Sequence, residues 1–393
     1  MKIIRVNGAK PLKGSVTVSG SKNAALPIIF SCILTNGVNE VENLPCIGDT
    51  DVALKILSDM GASVWRNGRI TYIDTRCLSY SKPSPSLVSM IRASTYLIGS
   101  CLGRFGICHL QPFGGCSFSE RPIDMHLDAC KSLGGVIDNE IIKTLGLIGG
   151  RIVFDKPSVG ATVNAIFLAT TALGESEICG IATEPHIDCL IDFLISCGAD
   201  ITRHETGLTI RGRSLHGGRI RIIDDMIEAG SYIAAGLITG GDVKLRNCPS
   251  EDMASVFDAF SALCNSSERQ MSIVAKPYPG FPTDLQPIFA PLMASFSGGE
   301  IIDTVWQGRF GYLSSLASFG VLSDTDGNHA RIYKSIIHNG RAVSPDLRGG
   351  FACLLSALSA EGESEIYSAE IILRGYEDLV KKLSALGADI AIE

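Results

Sequence analysis

No Cys-x-x-Cys pair occurs among the 13 cysteines, and no His or Cys spacing typical of a metal site is present. That removes zinc-ribbon and dithiol redox readings, and no metal or cofactor is expected. The cysteine count is odd and most of these residues sit inside apolar helical runs. They read as reduced thiols used as small hydrophobes, which points to the cytoplasm. No apolar run approaches the roughly 20 residues that cross a bilayer, so membrane insertion is not expected. The opening Met1-Lys2-Ile3-Ile4-Arg5-Val6-Asn7-Gly8 lacks the apolar core of a signal peptide. Charged residues make up 19% of the chain and the net charge is −7, which excludes a broad nucleic-acid surface. A local cluster of cations can still hold a small anion against that field.

What the chain has instead is apolar and small residues: 46% hydrophobic, with 42 Gly, over 393 residues. That length suits about two domains. Along it one pattern recurs. A polar opening leads into an apolar helix, a Gly stops it, a strand and turn come next, and a second helix closes near Gly-Ala. The openings fall near Asn23, Arg92, Ala161, Glu228, Asp284 and Asp346, roughly 55–70 residues apart. The closings are Gly61-Ala62, Gly134-Gly135, Gly198-Ala199, Gly320-Val321 and Gly387-Ala388, with Cys264-Asn265 in the degenerate slot.

Residues 24–34, 162–173, 229–239 and 351–358 are apolar or small on nearly every face, which predicts buried helices. The stops Gly37, Gly174, Gly240 and Gly362 come directly after them. Residues 52–60 and 379–386 carry a one-sided stripe and are expected outside. Runs such as 151–154 and 242–245 read as strands. The fold class is therefore α/β, a two-domain inside-out barrel of about six repeated βαβ-type units with buried parallel helices. Parallel helix starts would offer positive dipole ends and free N–H groups to an anion. Asp284 and Asp346 can be read as helix caps or as site residues. Lys22, Arg92 and Arg348 cannot be caps, because a cation at a helix start opposes the dipole. They suggest a bound anion.

Outside the repeat lies Phe113-Gly114-Gly115-Cys116-Ser117-Phe118-Ser119-Glu120-Arg121-Pro122-Ile123-Asp124-Met125-His126. Its paired glycines predict a mobile loop, and Arg121 can lower the Cys116 thiol pKa or hold an anion beside it. Cys116 is the cysteine with the clearest case for reactivity.

With Ser19-Gly20-Ser21-Lys22-Asn23-Ala24-Ala25-Leu26-Pro27, this loop resembles the enolpyruvyl transferases, in the branch that uses UDP-N-acetylglucosamine. Further matches run in order along the chain: Ser158-Val159-Gly160-Ala161-Thr162, Ile227-Glu228-Ala229-Gly230, Pro279-Gly280-Phe281-Pro282-Thr283-Asp284-Leu285-Gln286, Asp346-Leu347-Arg348 and Arg374-Gly375-Tyr376-Glu377. The resemblance implies transfer of enolpyruvate from phosphoenolpyruvate to the 3′-hydroxyl of UDP-N-acetylglucosamine, with release of phosphate. This is the first committed step of peptidoglycan precursor synthesis. It implies Cys116 as general acid and Asp284 as the acceptor that orients the sugar hydroxyl. Lys22 and Arg374 join them as catalytic residues. Lys22, Arg92, Arg121, Arg348 and Arg374 would hold phosphoenolpyruvate, since guanidinium groups bind phosphate and carboxylate through paired hydrogen bonds. Asn23, Asp284 and Val305 would meet the sugar. Arg121, Pro122, Asp124 and Met125 would form the uridine strip, and Lys156, Ser158, Val159 and Gly160 the diphosphate turn. Arg309 keeps the Arg of an Asn-Arg-Phe signature. Ordered binding with the nucleotide sugar first, and alkylation of Cys116 by fosfomycin, are implied as well.

Departures from the family pattern are Glu184-Pro185-His186 for Glu-Pro-Glu, Met226 for Arg, and Leu373 for Asp. The loops after Gly135 and around His216 are short. These features bear on turnover and acceptor choice, and they leave room for a transferase acting on another nucleotide or nucleotide sugar. A shikimate-pathway relative is disfavoured by Asn23-Ala24-Ala25-Leu26 and by Cys116. A non-catalytic UDP-sugar-binding paralogue is disfavoured by intact Cys116, Asp284 and the cations. The repeats divide the chain into residues 20–225 and residues 1–19 plus 226–393, three repeats each.

Overall fold

The computed structural model describes residues 1–115, 122–265 and 271–393. They form two compact units, residues 1–19 with 224–393 and residues 20–115 with 122–223. Each has its own apolar core.

The buried helices are enclosed because their residues leave no polar face. Helix Val159–Thr171 is buried without interruption over 161–170, and Leu347–Ser359 over 347–358. Gln286–Phe296 and Lys22–Ser31 are nearly as enclosed. Small residues let such helices approach. A Cβ on Gly99 would lie 2.8 Å from Asn164 Oδ1 and 3.0 Å from Phe167 Cβ, so Leu97–Phe105 packs directly on Val159–Thr171. Truncating a large side chain in these cores would leave a cavity and cost about 2–5 kcal/mol. The outer helix Gly48–Asp59 shows the expected stripe, with Ala53, Leu54, Ile56 and Leu57 inward and Asp51 and Lys55 outward.

Around the helices lie small sheets that alternate buried and exposed residues, the pattern of strands with one face on a core. Arg151–Val153 and Glu175–Cys179 pair in parallel across helix Val159–Thr171. The same holds for Met271–Ala275 with Gly299–Asp303 and for Arg341–Val343 with Glu363–Tyr367. A helix joining two parallel neighbours must run opposite to both, which places its start at the carboxyl end of the preceding strand. This is an inside-out α/β barrel architecture.

Two repeats exchange strands. Lys13–Thr17 precedes Lys22–Ser31 in sequence, yet it pairs in parallel with Asp242–Arg246, which comes after helix Met226–Ile238. Arg219–Arg221 precedes Met226–Ile238, yet it pairs in parallel with Val38–Glu42. The chain therefore passes from one unit to the other after residue 19 and again after residue 223. A further repeat departs from the βαβ form. Ile107–His109, Ile141–Lys143 and Val136–Asp138 make a wholly antiparallel sheet.

Local chemistry shifts two of the predicted openings. Arg92 begins a 3₁₀ turn, Arg92–Tyr96, that leads into Leu97–Phe105. Asp284 precedes its helix, which starts at Gln286 with Pro287 in the first turn, where a missing N–H costs nothing.

Candidate active site

In residues 224–393 the two candidate aspartates separate cleanly. Asp346 is a cap: its Oδ1 accepts from the N–H groups of Arg348 at 2.9 Å and Gly349 at 3.0 Å. Asp284 is not. Its Oδ1 accepts from Arg309 Nη2 at 2.8 Å, and its Oδ2 lies 3.6 Å from Arg348 Nη2. Arg309 also donates to Thr283 Oγ1 at 2.8 Å, and Thr283 donates to the fully buried Asp303 at 2.6 Å. The Arg309 carbonyl accepts from Gln286 at 3.0 Å, and Gln286 in turn accepts from Tyr312 at 2.6 Å. The second oxygen of Asp303 takes the backbone N–H of Val305 at 2.9 Å and of Trp306 at 3.0 Å, which fixes the turn that carries Val305. Asp284 is thus oriented by a chain of bonds running through its neighbours.

Arg348 is the most unusual charge among the described residues. It is 2% exposed, and none of its three guanidinium nitrogens makes a hydrogen bond to a described residue. Its contacts include the 3.6 Å ion pair to Asp284, the Tyr376 ring, whose centroid lies 5.2 Å away, and a loose approach to the Tyr376 hydroxyl. Burial works against its charge, but Tyr376, Asp284 and Asp225 outweigh burial and hold its pKa above the usual guanidinium value. A buried guanidinium with idle donors is a costly arrangement that a phosphate or carboxylate would relieve. Arg374 ends the 3₁₀ turn Ala369–Arg374 and is half-buried.

In residues 20–223 the charges are less enclosed. Lys22 heads its helix, capped by Ser21, and its Nζ lies 3.2 Å from Asp49 Oδ2. Asp49 itself is buried in the first turn of Gly48–Asp59. Asn23 and Arg92 are half-buried, and burial lowers the Arg92 pKa. The glycine pair has a reason other than mobility. A Cβ on Gly114 would strike the Ser89 carbonyl, and Gly115, at φ +116°, would place one 2.8 Å from Arg92 Cβ. Both glycines are needed where the chain passes close beside Arg92.

Ser158 caps helix Val159–Thr171, its Oγ accepting from Ala161 N–H at 3.4 Å. Val159 and Gly160 sit in the first turn, where N–H groups lack helical partners. Lys156 is exposed just upstream. Against this turn lies His126, so close that a Cβ on Gly160 would be 2.9 Å from its ring. Asn164 Oδ1 accepts the Gly99 N–H at 2.6 Å, so its Nδ2 is the donor to His126 Nδ1 at 2.8 Å. His126 therefore carries its proton on Nε2. Burial, then the Arg92 charge, push its pKa down to about 4, which keeps it neutral. Pro122 and Asp124 are exposed and Met125 is half-buried, at the start of helix Asp124–Ser132. Cys116 and Arg121 lie outside the described residues.

Sequence reasoning gave no role to Arg309, Asp49, His126 or Asn164. Each acts through a partner remote in the chain, and only Arg309 and His126 stood in motifs that could have drawn attention to them.

Residues 6–262 match the family model described as EPSP synthase (3-phosphoshikimate 1-carboxyvinyltransferase). The chain is 37% identical over 406 residues to the UDP-N-acetylglucosamine 1-carboxyvinyltransferase of Halothermothrix orenii, covering 98% of each. It is 37% identical over 424 residues to UDP-N-acetylglucosamine 1-carboxyvinyltransferase 2 of Streptococcus thermophilus, covering 100% of this chain and 99% of the other. Among solved structures it resembles the enolpyruvyl transferase NikO from Streptomyces tendae, with a TM-score of 0.90, 23% identity and coverage of 100% and 99%. It also resembles EPSP synthase from Acinetobacter baumannii, with a TM-score of 0.73, 16% identity and full coverage of both. These two structural likenesses speak to the fold.

Proposed function

The chain belongs to the carboxyvinyltransferase family, and from that premise we propose that it transfers enolpyruvate from phosphoenolpyruvate to the 3′-hydroxyl of UDP-N-acetylglucosamine, releasing phosphate. The observation that carries the reading is Arg348, a buried guanidinium with idle donors, held beside the oriented carboxylate Asp284. In this role it supplies an anion site next to a proton acceptor.

The chemistry has two steps. In addition, the sugar oxygen bonds to the central carbon of phosphoenolpyruvate as its proton passes to Asp284, and Cys116 protonates the methylene carbon. In elimination, the carbon–oxygen bond to phosphate breaks, phosphate leaves with the proton that Asp284 had taken, and the new methyl group returns a proton to the Cys116 thiolate, restoring the double bond. Lys22, Arg92, Arg121, Arg348 and Arg374 carry the phosphate and carboxylate charges. Asn23, Asp284 and Val305 hold the sugar. Arg121, Pro122, Asp124 and Met125 hold the uridine, and the first turn at Lys156, Ser158, Val159 and Gly160 holds the diphosphate through backbone N–H groups. The reaction is the committing step of peptidoglycan precursor synthesis, in the cytoplasm. No helix of the described residues is long and apolar enough to cross a membrane.

The test is phosphate release from phosphoenolpyruvate with a panel of UDP-sugars. Release with UDP-N-acetylglucosamine alone supports the reading. Release only with another nucleotide sugar moves the activity to a different acceptor. Mass spectrometry after incubation with an epoxide and UDP-sugar tests Cys116; an unmodified thiol would remove it from the mechanism.

A further inference from the structure

We propose that Tyr376 and Ser231 form a directed hydroxyl pair that positions Arg348 for the anionic substrate, so both are positioning residues for phosphoenolpyruvate; the inference rests on the proposed role of Arg348 as its ligand. The pair is buried. Ser231 is fully enclosed within helix Met226–Ile238, and Tyr376 is 1% exposed. Two distances fix the direction of their protons. Ser231 Oγ lies 2.7 Å from the Ile227 carbonyl oxygen and 2.8 Å from Tyr376 Oη. A carbonyl can only accept, so the serine proton goes to Ile227. The serine oxygen is then an acceptor, and the Tyr376 proton goes to it. The reverse assignment would leave the carbonyl facing a bare oxygen lone pair and the tyrosine proton without an acceptor among the described residues.

With its proton turned toward Ser231, the Tyr376 oxygen presents only lone pairs to its other neighbours. The ring is fixed too, stacked on Phe351 with centroids 4.4 Å apart and planes 25° from parallel. Arg348 meets the ring itself, its guanidinium carbon 5.2 Å from the ring centroid. The π face favours the cation, and the inward lone pairs draw an Arg348 N–H in a contact too loose in geometry to satisfy it. That explains how Arg348 stays charged at 2% exposure while none of its nitrogens makes a well-formed hydrogen bond with a described residue. A second carboxylate in this place would bind the fork that the substrate needs. The Tyr-Ser pair leaves it open.

The experiment measures phosphate release for the wild type, Y376F, S231A, S231T and the Y376F/S231A double variant, with each substrate varied in turn. Y376F keeps the ring and loses the hydroxyl. S231A keeps the tyrosine and removes the acceptor of its proton. The expected result is a KM for phosphoenolpyruvate raised about tenfold in both, the effect of one lost hydrogen bond, with kcat and the KM for the UDP-sugar within about twofold. S231T restores the hydroxyl and the low KM. The double variant is no worse than either single one, because both break the same relay. Inhibition by inorganic phosphate should weaken in parallel. Unchanged phosphoenolpyruvate KM in Y376F and S231A, with only a lowered melting temperature, overturns the proposal, as does a double variant whose losses multiply. A wild type that releases no phosphate overturns the functional reading itself.

Discussion

Residues 224–393 and residues 20–223 differ in how deeply they bury their cations. In the first, Asp284, Arg309 and Arg348 are drawn into one bonded cluster, with Arg309 and Arg348 almost wholly buried. In the second, Lys22 and Arg92 stay half-buried, Lys22 pairs with the buried Asp49, and the buried polar pair beside the Ser158 turn, His126 with Asn164, is neutral. A buried ionic cluster resists reorientation, because breaking one pair strands a charge in a poor solvent. A helix start with half-exposed cations instead adapts to an anion at lower cost. Under the proposed function, the difference suits a division of labour in which the first region orients the proton acceptor beside a fixed cation, while the second adds adaptable cations and the helix start for the diphosphate.

The largest test of that division is Asp284→Asn. It keeps the shape and removes the proton acceptor, so kcat should fall on the order of 10³-fold, while UDP-sugar binding measured by calorimetry weakens only a few-fold because the amide can still meet the sugar hydroxyl. A comparable loss of nucleotide binding would break the division. Next is Arg348→Lys, which replaces a planar fork with a point charge. The KM for phosphoenolpyruvate should rise about 100-fold while the KM for UDP-sugar is unmoved.

In the other region, His126 predicts a pH effect on stability. Its folded pKa is about 4, below the unfolded value of 6.5. The unfolded state thus binds a proton first as pH falls, and the stability present above pH 6.5 is lost between 6.5 and 4. Denaturant unfolding at pH 7 and pH 5 should differ by about 2 kcal/mol from this group, and His126→Gln should remove that part of the slope. Smallest is Ser158→Ala. Loss of the cap should cost about 1 kcal/mol of stability and raise the UDP-sugar KM a few-fold, with kcat unchanged. A fall in kcat here would blur the comparison.

The reach of the sequence tracks the range of the interactions. Caps are local, so Ser158, Asp225 and Asp346 could be found from the residue and its next few neighbours, and each bonds the N–H groups two or three positions on. The all-apolar helices and their glycine stops were visible for the same reason. Asp284 shows where this fails. It looks like Asp346 in sequence, but its helix starts two residues later and its carboxylate turns to Arg309, 25 residues away. Glu228 is more remote still: it bonds Lys382 at 2.7 Å across 154 residues, with burial raising its pKa and Lys382 drawing it back. The exchange of Lys13–Thr17 with Arg219–Arg221 between repeats also depends on pairing that no local pattern encodes. The cations were flagged by their misfit with the helix dipole. Their partners were not.

The central claim is that this protein moves an enolpyruvyl group. Phosphorus NMR of phosphoenolpyruvate with stoichiometric enzyme tests it most directly. The account predicts that the phosphoenolpyruvate signal is replaced by inorganic phosphate only when UDP-N-acetylglucosamine is present, and that D284N slows this conversion. Bound UDP-N-acetylglucosamine with an unchanged phosphoenolpyruvate signal would contradict it.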